Sequence, residues 1–385
     1  MKNLTDEKVK ELLEKGKTVI EIAKEYNVSR QAVYYHIEKL KEKKKKEPPK
    51  NNKSKINYNS KINWKVYNEV LVKRGEIIFD FEFFKNWKNE LKEMNKNKIG
   101  SPYFFPETFI RFLLKLKSIF QIDYRTLEGI GRKILVIFVP EIKRFPDYTT
   151  IQNRFKKGRY KLEVYQREGL QDIAIDSSGL KRNKRGEYRM VQNKGRERKK
   201  YVKLHIAVNI KTKQVVAGII TEEYESDSKQ MKNLLDEAEG FGKINKLLSD
   251  RAYDSEENHW EIKKRGIIDG IKMKERLDLG RVKDEIKRIR RLIKLYKRKG
   301  KDRTRLIKRL NRLNRLKKYL KDKDRWEKEI RYGDRWHVEI RYWVYKALFG
   351  EEVYSKDIEV IRNEVLMKLN LMNLFTAMIN EMKSG

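Results

Sequence analysis

The sequence contains no cysteine, and its four histidines are scattered along 385 residues. The absence of cysteine excludes a disulfide framework and zinc sites built from thiolates. No two histidines have the HxxxH spacing of an imidazole metal site on a helix. Any metal ion in this protein would therefore have to be held by carboxylates.

Long apolar runs and negative charge are also scarce. No run of eighteen or more apolar residues exists, and the first twenty residues lack the apolar centre of a signal peptide. We therefore expect a soluble cytoplasmic protein with no membrane partner. Only 56 Asp and Glu stand against 94 Lys and Arg, which gives a formal net charge of +38. This excess exceeds the needs of solubility and indicates a polyanionic partner, for which double-stranded DNA is the first candidate.

Residues 1–40 have the pattern of three short helices. The second helix is expected after Thr18, and the chain then breaks at Asn27 to Ser29. Ser29 can cap a third helix in which Val33 and Ile37 face inward. This arrangement is typical of a helix-turn-helix domain that reads DNA, although a small bundle for protein contacts remains the alternative. The candidate DNA contacts are Ser29, Arg30, Gln31 and Tyr34.

Three segments of different composition follow this domain. Residues 41–63 are rich in Lys, Asn, Ser and Pro, and we interpret them as a basic flexible linker. Residues 64–165 regain apolar and aromatic residues with helical spacing, which predicts a helical domain for DNA binding or scaffolding. A second helix-turn-helix within 123–156 and a purely structural bundle are equally compatible with the pattern. Residues 170–365 show short apolar runs, then helix, strand, helix and strand, as in an α/β core with a mixed sheet.

A basic insertion interrupts the α/β core at residues 281–325. It contains 22 Lys and Arg against 5 Asp and Glu, and two apolar stripes recur at helical spacing around a break near Gly300. The pattern predicts a helical hairpin with charged outer faces. We favour a clamp on DNA phosphates over a merely solvated hairpin, because the net charge of this segment is self-repulsive without an anion. Residues 366–385 are expected to form a carboxy-terminal helix or tail.

Two aspartates follow apolar runs of the α/β core. Asp176 follows Ile-Ala-Ile and precedes Ser-Ser-Gly, and Asp250 follows Lys-Leu-Leu-Ser. Both are predicted at strand ends, where carboxylates of neighbouring strands can converge. Either one alone is more often a cap or turn residue. Asp227 and Asp254 are interpreted as helix caps, and His205 as a packed strand residue.

A third carboxylate lies in the segment YGDRWHVEIRYWVYKALFG. Tyr332 and Arg335 precede Glu339 by seven and four residues, and Lys346 follows it by seven. On one helix these four side chains would share a face. The adjacent stripe of Trp336, Ile340, Trp343 and Ala347 is predicted to dock the helix on the sheet. The alternative is an ordinary charged face with an Arg335–Glu339 pair of about 0.3–0.5 kcal/mol.

This segment fills every position of the pattern Y-x2-R-x3-E-x6-K. It resembles the YREK signature of a large group of insertion-sequence DDE transposases, and AIDSSGLK, KLHIAV and LLSDRAYD resemble the segments around their first two acidic residues. The resemblance covers residues 64–365 and implies an RNase H-like catalytic core, although relatives with an insertion at this place often build it from strands. It implies that Asp176, Asp250 and Glu339 are catalytic and hold two Mg²⁺ or Mn²⁺ ions. It further implies that Tyr332 and Arg335 grip a phosphate near the transposon tip, and that Lys346 contacts DNA beside the scissile bond.

The resemblance implies DNA strand cleavage and strand transfer between transposon terminal inverted repeats and target DNA. The active form would be a homodimer or larger assembly on DNA, associated with the nucleoid of a prokaryotic cell. Two other functions remain open, namely an RNase H-like nuclease without strand transfer and a DNA-binding regulator derived from a transposase. The sequence leaves undetermined the terminal and target sequences and the use of a DNA hairpin intermediate.

Overall fold

The computed structural model describes residues 4–15, 17–46, 63–182, 201–355 and 357–384. The chain divides into two compact units, residues 1–62 and 63–385. Among the described residues, no helix combines the length and the apolar character needed to cross a membrane.

The amino-terminal unit contains helices α1 (Asp6–Glu14), α2 (Val19–Glu25) and α3 (Arg30–Lys46). Thr18 and Glu21 form a reciprocal capping box at the start of α2, and the Ser29 hydroxyl accepts a hydrogen bond from the Ala32 amide at 3.2 Å. The core consists of Val9, Leu12, Ile22, Ala23 and Val33. The predicted helix-turn-helix arrangement is therefore present.

Helix α3 extends further than the sequence predicts. It continues to Lys46, six residues into the segment interpreted as a flexible linker. Lys and Glu have high helix propensity, so this segment can remain helical although it has few apolar residues to bury. The remainder of the predicted linker up to residue 62 lies outside the described residues.

The second unit begins with five helices, α4 (Trp64–Ile78), α5 (Trp87–Asn95), α6 (Glu107–Phe120), α7 (Tyr124–Phe138) and α8 (Tyr148–Lys157). Asp123 and Asp147 cap α7 and α8 with their carboxylates. Leu127 and Leu135 of α7 and Phe155 of α8 are fully buried. Both helices of the region 123–156 therefore have a structural role.

A mixed sheet follows, with strands β1 (Leu170–Arg182), β2 (Tyr201–Asn209), β3 (Val215–Glu222), β4 (Lys243–Ser249), β5 (Ile268–Ile271) and β6 (Glu352–Val353). The order is β3-β2-β1-β4-β5, and β6 also pairs with β1. Strands β1 to β3 are antiparallel, whereas β4 and β6 run parallel to β1 and β5 runs parallel to β4. With helices α9 (Asp227–Glu239) and α10 (Glu256–Arg265), this is the mixed α/β architecture of an RNase H-like core.

The basic insertion forms the predicted helical hairpin. Helix α11 (Leu279–Arg298) packs against α12 (Thr304–Lys321), and α13 (Lys323–Ile330) leads back to the core. Val282, Ile286 and Ile289 of α11 bury their side chains with Leu313, Leu316 and Tyr319 of α12. The local apolar periodicity thus determines which faces of the two helices meet.

Two further helices complete the unit, α14 (Trp336–Phe349) and α15 (Ile358–Ser384). The predicted boundary at 365/366 falls inside α15. One hydrophobic cluster unites α6, α14, α15 and the sheet, from Phe109 through Val202 to Met372. The helical region that the sequence suggests as a separate domain therefore shares its core with the sheet.

Candidate active site

Asp176 lies within β1 and not at its end, which corrects the sequence-based prediction. The antiparallel pairing of β1 with β2 continues to Lys181, whereas the parallel pairing with β4 ends at Ala174. Polar residues after Asp176 suggest a turn in the sequence, but pairing with β2 keeps this segment extended. Asp176 consequently lies just beyond the last residue that β4 pairs.

Asp250 follows the end of β4 directly, as predicted. It begins a 3-10 turn, Arg251–Tyr253, and its Oδ1 accepts a hydrogen bond from the Ala252 amide at 2.9 Å. Because β1 and β4 are parallel neighbours in which Ala174 pairs with Leu248, Asp176 and Asp250 lie beside each other at the point where β4 ends.

The predicted single helix from Tyr332 to Lys346 is interrupted. Arg331 has a left-handed backbone (φ 56°), Tyr332–Arg335 form a 3-10 turn, and α14 begins only at Trp336. Left-handed Arg331 ends α13, and the 3-10 turn that follows winds more tightly than an α-helix, which changes the angular position of Tyr332 relative to Glu339. The hydroxyl of Tyr332 donates to the Ser249 carbonyl at 3.2 Å, beside Asp250.

The buried face of α14 also differs from the prediction. Trp336 and Trp343 are 56% and 71% exposed, whereas Tyr342 and Tyr345 are buried. The Tyr342 hydroxyl lies 2.8 Å from the Asp176 carbonyl and 2.7 Å from the Leu204 carbonyl. A buried tyrosine is tolerated when its hydroxyl has such partners, and apolar character alone does not reveal them. Helix α14 is thereby anchored directly at the backbone of Asp176.

Arg335 joins two of the three predicted acids. Its guanidinium forms an ion pair with Asp176 at 3.2 Å and another with Glu339. Lys346 is placed differently, since its ammonium group lies 3.5 Å from Glu351, which also pairs with Lys181 at 2.9 Å. The structure therefore brings Asp176 and Glu339 into direct contact with Arg335, while Lys346 pairs with Glu351 elsewhere in the second unit.

The electrostatics of Asp176 reflect its surroundings at this site. Burial, followed by the charges of Asp250 and Glu339, raises the pKa of Asp176 to about 6 against the opposing effects of the Ser177 amide and Arg335. Burial likewise raises the pKa of Tyr332 to about 12, with a further contribution from Asp250. Like charges gathered at one partly buried position are unfavourable for folding and are typical of a functional site.

The three acids suit a hard divalent cation, because their donors are carboxylate oxygens. The charge of the half-buried Asp176 is also not fully neutralised by its neighbours. In the part of the chain that the structure describes, however, no group of three or more His, Asp or Glu is already close enough to hold a metal ion. Arg335 supplies positive charge between Asp176 and Glu339 in this arrangement.

The remaining predicted residues have ordinary or separate surroundings. Ser29, Arg30, Gln31 and Tyr34 belong to the amino-terminal unit, where Tyr34 is 59% exposed. His205 is a packed strand residue, as expected, with Nε2 2.9 Å from the Thr221 hydroxyl. Asp227 begins α9 and pairs with Lys203 at 3.0 Å.

Asp254 does not have the helix-capping role expected from the sequence. Ser255 caps α10, whereas the carboxylate of Asp254 is buried in an ionic network with His259 and Arg312. Tyr342 is a further residue of this site that the sequence pattern did not predict. Its spacing with Val338, Tyr345 and Phe349 is a readable helical stripe, but the competing stripe of tryptophans is more apolar.

Comparison with protein families agrees with this architecture. Residues 72–185 match a model described as a transposase DDE domain, and residues 167–374 match a second model with the same description. Residues 2–36 match the helix-turn-helix domain of resolvase. The second match spans more than half of the chain, which therefore belongs to the family of transposases with a DDE domain.

Two solved structures show weak similarity. One is a simian T-cell lymphotropic virus intasome in complex with PP2A regulatory subunit B56 gamma, with 14% identity, a TM-score of 0.20, and coverage of 42% of this chain and 51% of that chain. The other is a piggyBac transposase synaptic complex with hairpin DNA, with 9% identity, a TM-score of 0.34, and coverage of 81% and 76%. The chain spans about half the length of the intasome chain that it matches.

Proposed function

We propose that this protein is a DNA transposase that cleaves and joins DNA strands with Asp176, Asp250 and Glu339. The observation that carries this proposal is geometric: Arg335 pairs with both Asp176 and Glu339, and Asp250 follows the strand that lies beside Asp176. The three acids come from β1, the end of β4 and α14. Bringing three acids together makes no evident contribution to folding stability. The three acids match those of the DDE family in residue type and in their order along the chain.

Asp176, Asp250 and Glu339 would hold two Mg²⁺ or Mn²⁺ ions. Such ions activate an oxygen nucleophile and stabilise the leaving oxyanion in phosphodiester cleavage and transfer. The buried position of Asp176 favours this role, because a divalent cation relieves the unfavourable charge that raises the pKa of Asp176. The YREK assignment of Tyr332, Arg335, Glu339 and Lys346 belongs to this proposal.

Arg335 would exchange its acidic partners for a DNA phosphate. Its guanidinium offers the planar fork that recognises phosphate oxygens, and it is held between Asp176 and Glu339 before DNA arrives. Tyr332 would bind the same phosphate through its hydroxyl, from its place beside Ser249. Lys346 would contact the strand next to the scissile bond after release from Glu351.

The basic surfaces would hold the DNA itself. Exposed Arg30, Gln31 and Tyr34 at the start of α3 suit reading of the terminal inverted repeats, with the Ser29 cap contributing a contact. The hairpin of α11 and α12 would clamp duplex phosphates with exposed side chains such as Arg290, Arg291 and Lys294. Two transposon ends must be brought together, so we expect a homodimer or larger assembly on DNA.

A cleavage and strand-transfer assay tests the proposal. Purified full-length protein is incubated with Mg²⁺ or Mn²⁺ and labelled DNA from the inverted repeats that should flank the gene. Joined products are expected for the wild type, with none for Asp176→Asn. Cleavage without joining would favour a nuclease, and binding without cleavage would favour a regulator, so either result would contradict the proposal.

A further inference from the structure

A fully buried histidine connects three elements behind the candidate active site. His259 of α10 has no exposed surface, and its Nδ1 lies 2.6 Å from the carboxylate of Asp269 in β5. Its Nε2 lies 3.0 Å from the carboxylate of Asp254, which follows the 3-10 turn that begins after Asp250. Both carboxylates are buried as well.

Two arginines of the basic hairpin reach into the same network. Arg312 of α12 grips Asp254 with two nitrogens, each at 2.7 Å. Arg315, one turn further along, pairs with the Asp269 carboxylate at 2.7 Å and donates to the Asp269 carbonyl at 3.0 Å. The hairpin is thereby attached to β5 and to the segment after Asp250 by directional ionic contacts, whereas apolar contacts join its own two helices.

The contacts identify the charged form of the histidine. Each ring nitrogen faces a carboxylate oxygen, so both must carry hydrogen and the ring is an imidazolium. Burial by itself lowers the pKa of His259, but the hydrogen bonds to Asp254 and Asp269 raise it above its ordinary value. The other charged groups around it are Arg312, Arg315 and Glu256, which acts on Arg312.

The network contacts one end of the segment that carries Asp250. Asp250 and Asp254 bracket the turn Arg251–Tyr253, and the Asp254 amide donates to the Arg251 carbonyl at 3.2 Å. The Asp254 carboxylate also accepts the Lys274 amide at 2.7 Å, just after β5. A displacement of Asp254 would therefore act on Asp250 through the three-residue turn Arg251–Tyr253.

We propose that the network of His259, Asp254, Asp269, Arg312 and Arg315 is a positioning element that couples the seating of the basic hairpin to the placement of Asp250. The hairpin is then part of the catalytic architecture in addition to being a surface for DNA. This inference rests on the proposed role of Asp250 in DNA cleavage. The coupling of Arg312 to residues 250–254 can be measured even in a protein that does not cleave DNA.

Arg312→Gln is the decisive variant, and Arg309→Gln is its matched control. Both remove one cation from α12, but Arg309 pairs with Glu285 at 2.8 Å inside the hairpin and not with the sheet. We expect Arg312→Gln to lower the single-turnover cleavage rate at saturating DNA by about tenfold or more, with DNA affinity changed no more than in Arg309→Gln. Equal cleavage rates in the two variants would overturn the coupling to catalysis.

Hydrogen exchange of residues 250–254 separates this proposal from the proposed function. Exchange should become faster in Arg312→Gln and remain unchanged in Arg309→Gln, whether or not the protein cleaves DNA. Equal exchange in the two variants would overturn the coupling itself. If exchange is faster in Arg312→Gln as expected but the wild-type protein cleaves no DNA, the result would instead contradict the proposed function.

Nuclear magnetic resonance of the wild-type imidazoles provides a test that requires no stable variant. The chain has four histidines, so the buried ring can be assigned with few candidates. His259 should remain doubly protonated at pH 7.5, where a solvated histidine is mostly neutral. A neutral ring with one N–H at that pH would overturn the ionic network on which the proposal depends.

Discussion

Replacing Asp176 with asparagine should stabilise the metal-free protein while abolishing its chemistry. The carboxyl has a pKa of about 6, compared with an ordinary value of 3.8, and its side chain is 22% exposed. One pKa unit corresponds to about 1.4 kcal/mol, so ionised Asp176 destabilises the folded state on the order of 3 kcal/mol at pH 8. Asparagine has a similar shape and no charge, so it should recover most of this free energy.

The pH dependence follows from the direction of the shift. The pKa of Asp176 is higher in the folded state than in the unfolded state, so ionisation of this carboxyl destabilises the folded protein. The destabilisation begins above pH 3.8 and is complete above about pH 6. The advantage of Asp176→Asn should therefore be roughly half as large at pH 5 as at pH 8. Chemical unfolding at the two pH values, without divalent ions, measures this difference.

The control and the metal response make the test specific. Asp172→Asn in the same strand removes an acid that pairs with Lys246 at 3.0 Å, so that variant should lose stability. Millimolar Mg²⁺ should stabilise the wild type more than Asp176→Asn, since ligand binding to the folded state adds to its stability. If Asp176→Asn is no more stable than the wild type at pH 8, the inference that Asp176 carries unrelieved charge is refuted.

Three further predictions concern the other parts of the molecule. Glu339→Gln should abolish cleavage and strand transfer and retain DNA binding. It should change the free energy of unfolding by no more than about 1 kcal/mol, because the pair of Glu339 with Arg335 is partly exposed. An active Glu339→Gln protein together with an inactive Glu351→Gln protein would show that the wrong acid was chosen. Deleting residues 1–45 should leave the second unit folded by circular dichroism and weaken binding of end DNA, whereas an unchanged gel shift would refute DNA reading by the helix-turn-helix. Charge reversal of Arg290 and Arg291 should reduce the log–log salt slope of duplex binding by about 0.9 for each lost phosphate contact, and an unchanged slope would make the hairpin a spacer.

The sequence by itself determined the features that depend on neighbours along the chain. Apolar periodicity predicts both helices of the hairpin, and the apolar run before Asp250 places it at the end of β4. The break before Ser29 separates α2 from α3 for the same reason, since a cap interacts with amides three residues away. Such patterns can be recognised in the sequence because their partners lie within one or two helical turns.

Only the tertiary structure decided which of several suitable residues meet. Whether α14 buries its tryptophans or Tyr342 depends on two carbonyl groups of β1 and β2, which lie more than a hundred residues away. Pairing with β2 keeps Asp176 inside a strand, and the Tyr332 hydroxyl donates to the Ser249 carbonyl at the end of β4. These outcomes depend on hydrogen bonds between distant segments, whose free energies are gained only after the sheet and its helices have assembled.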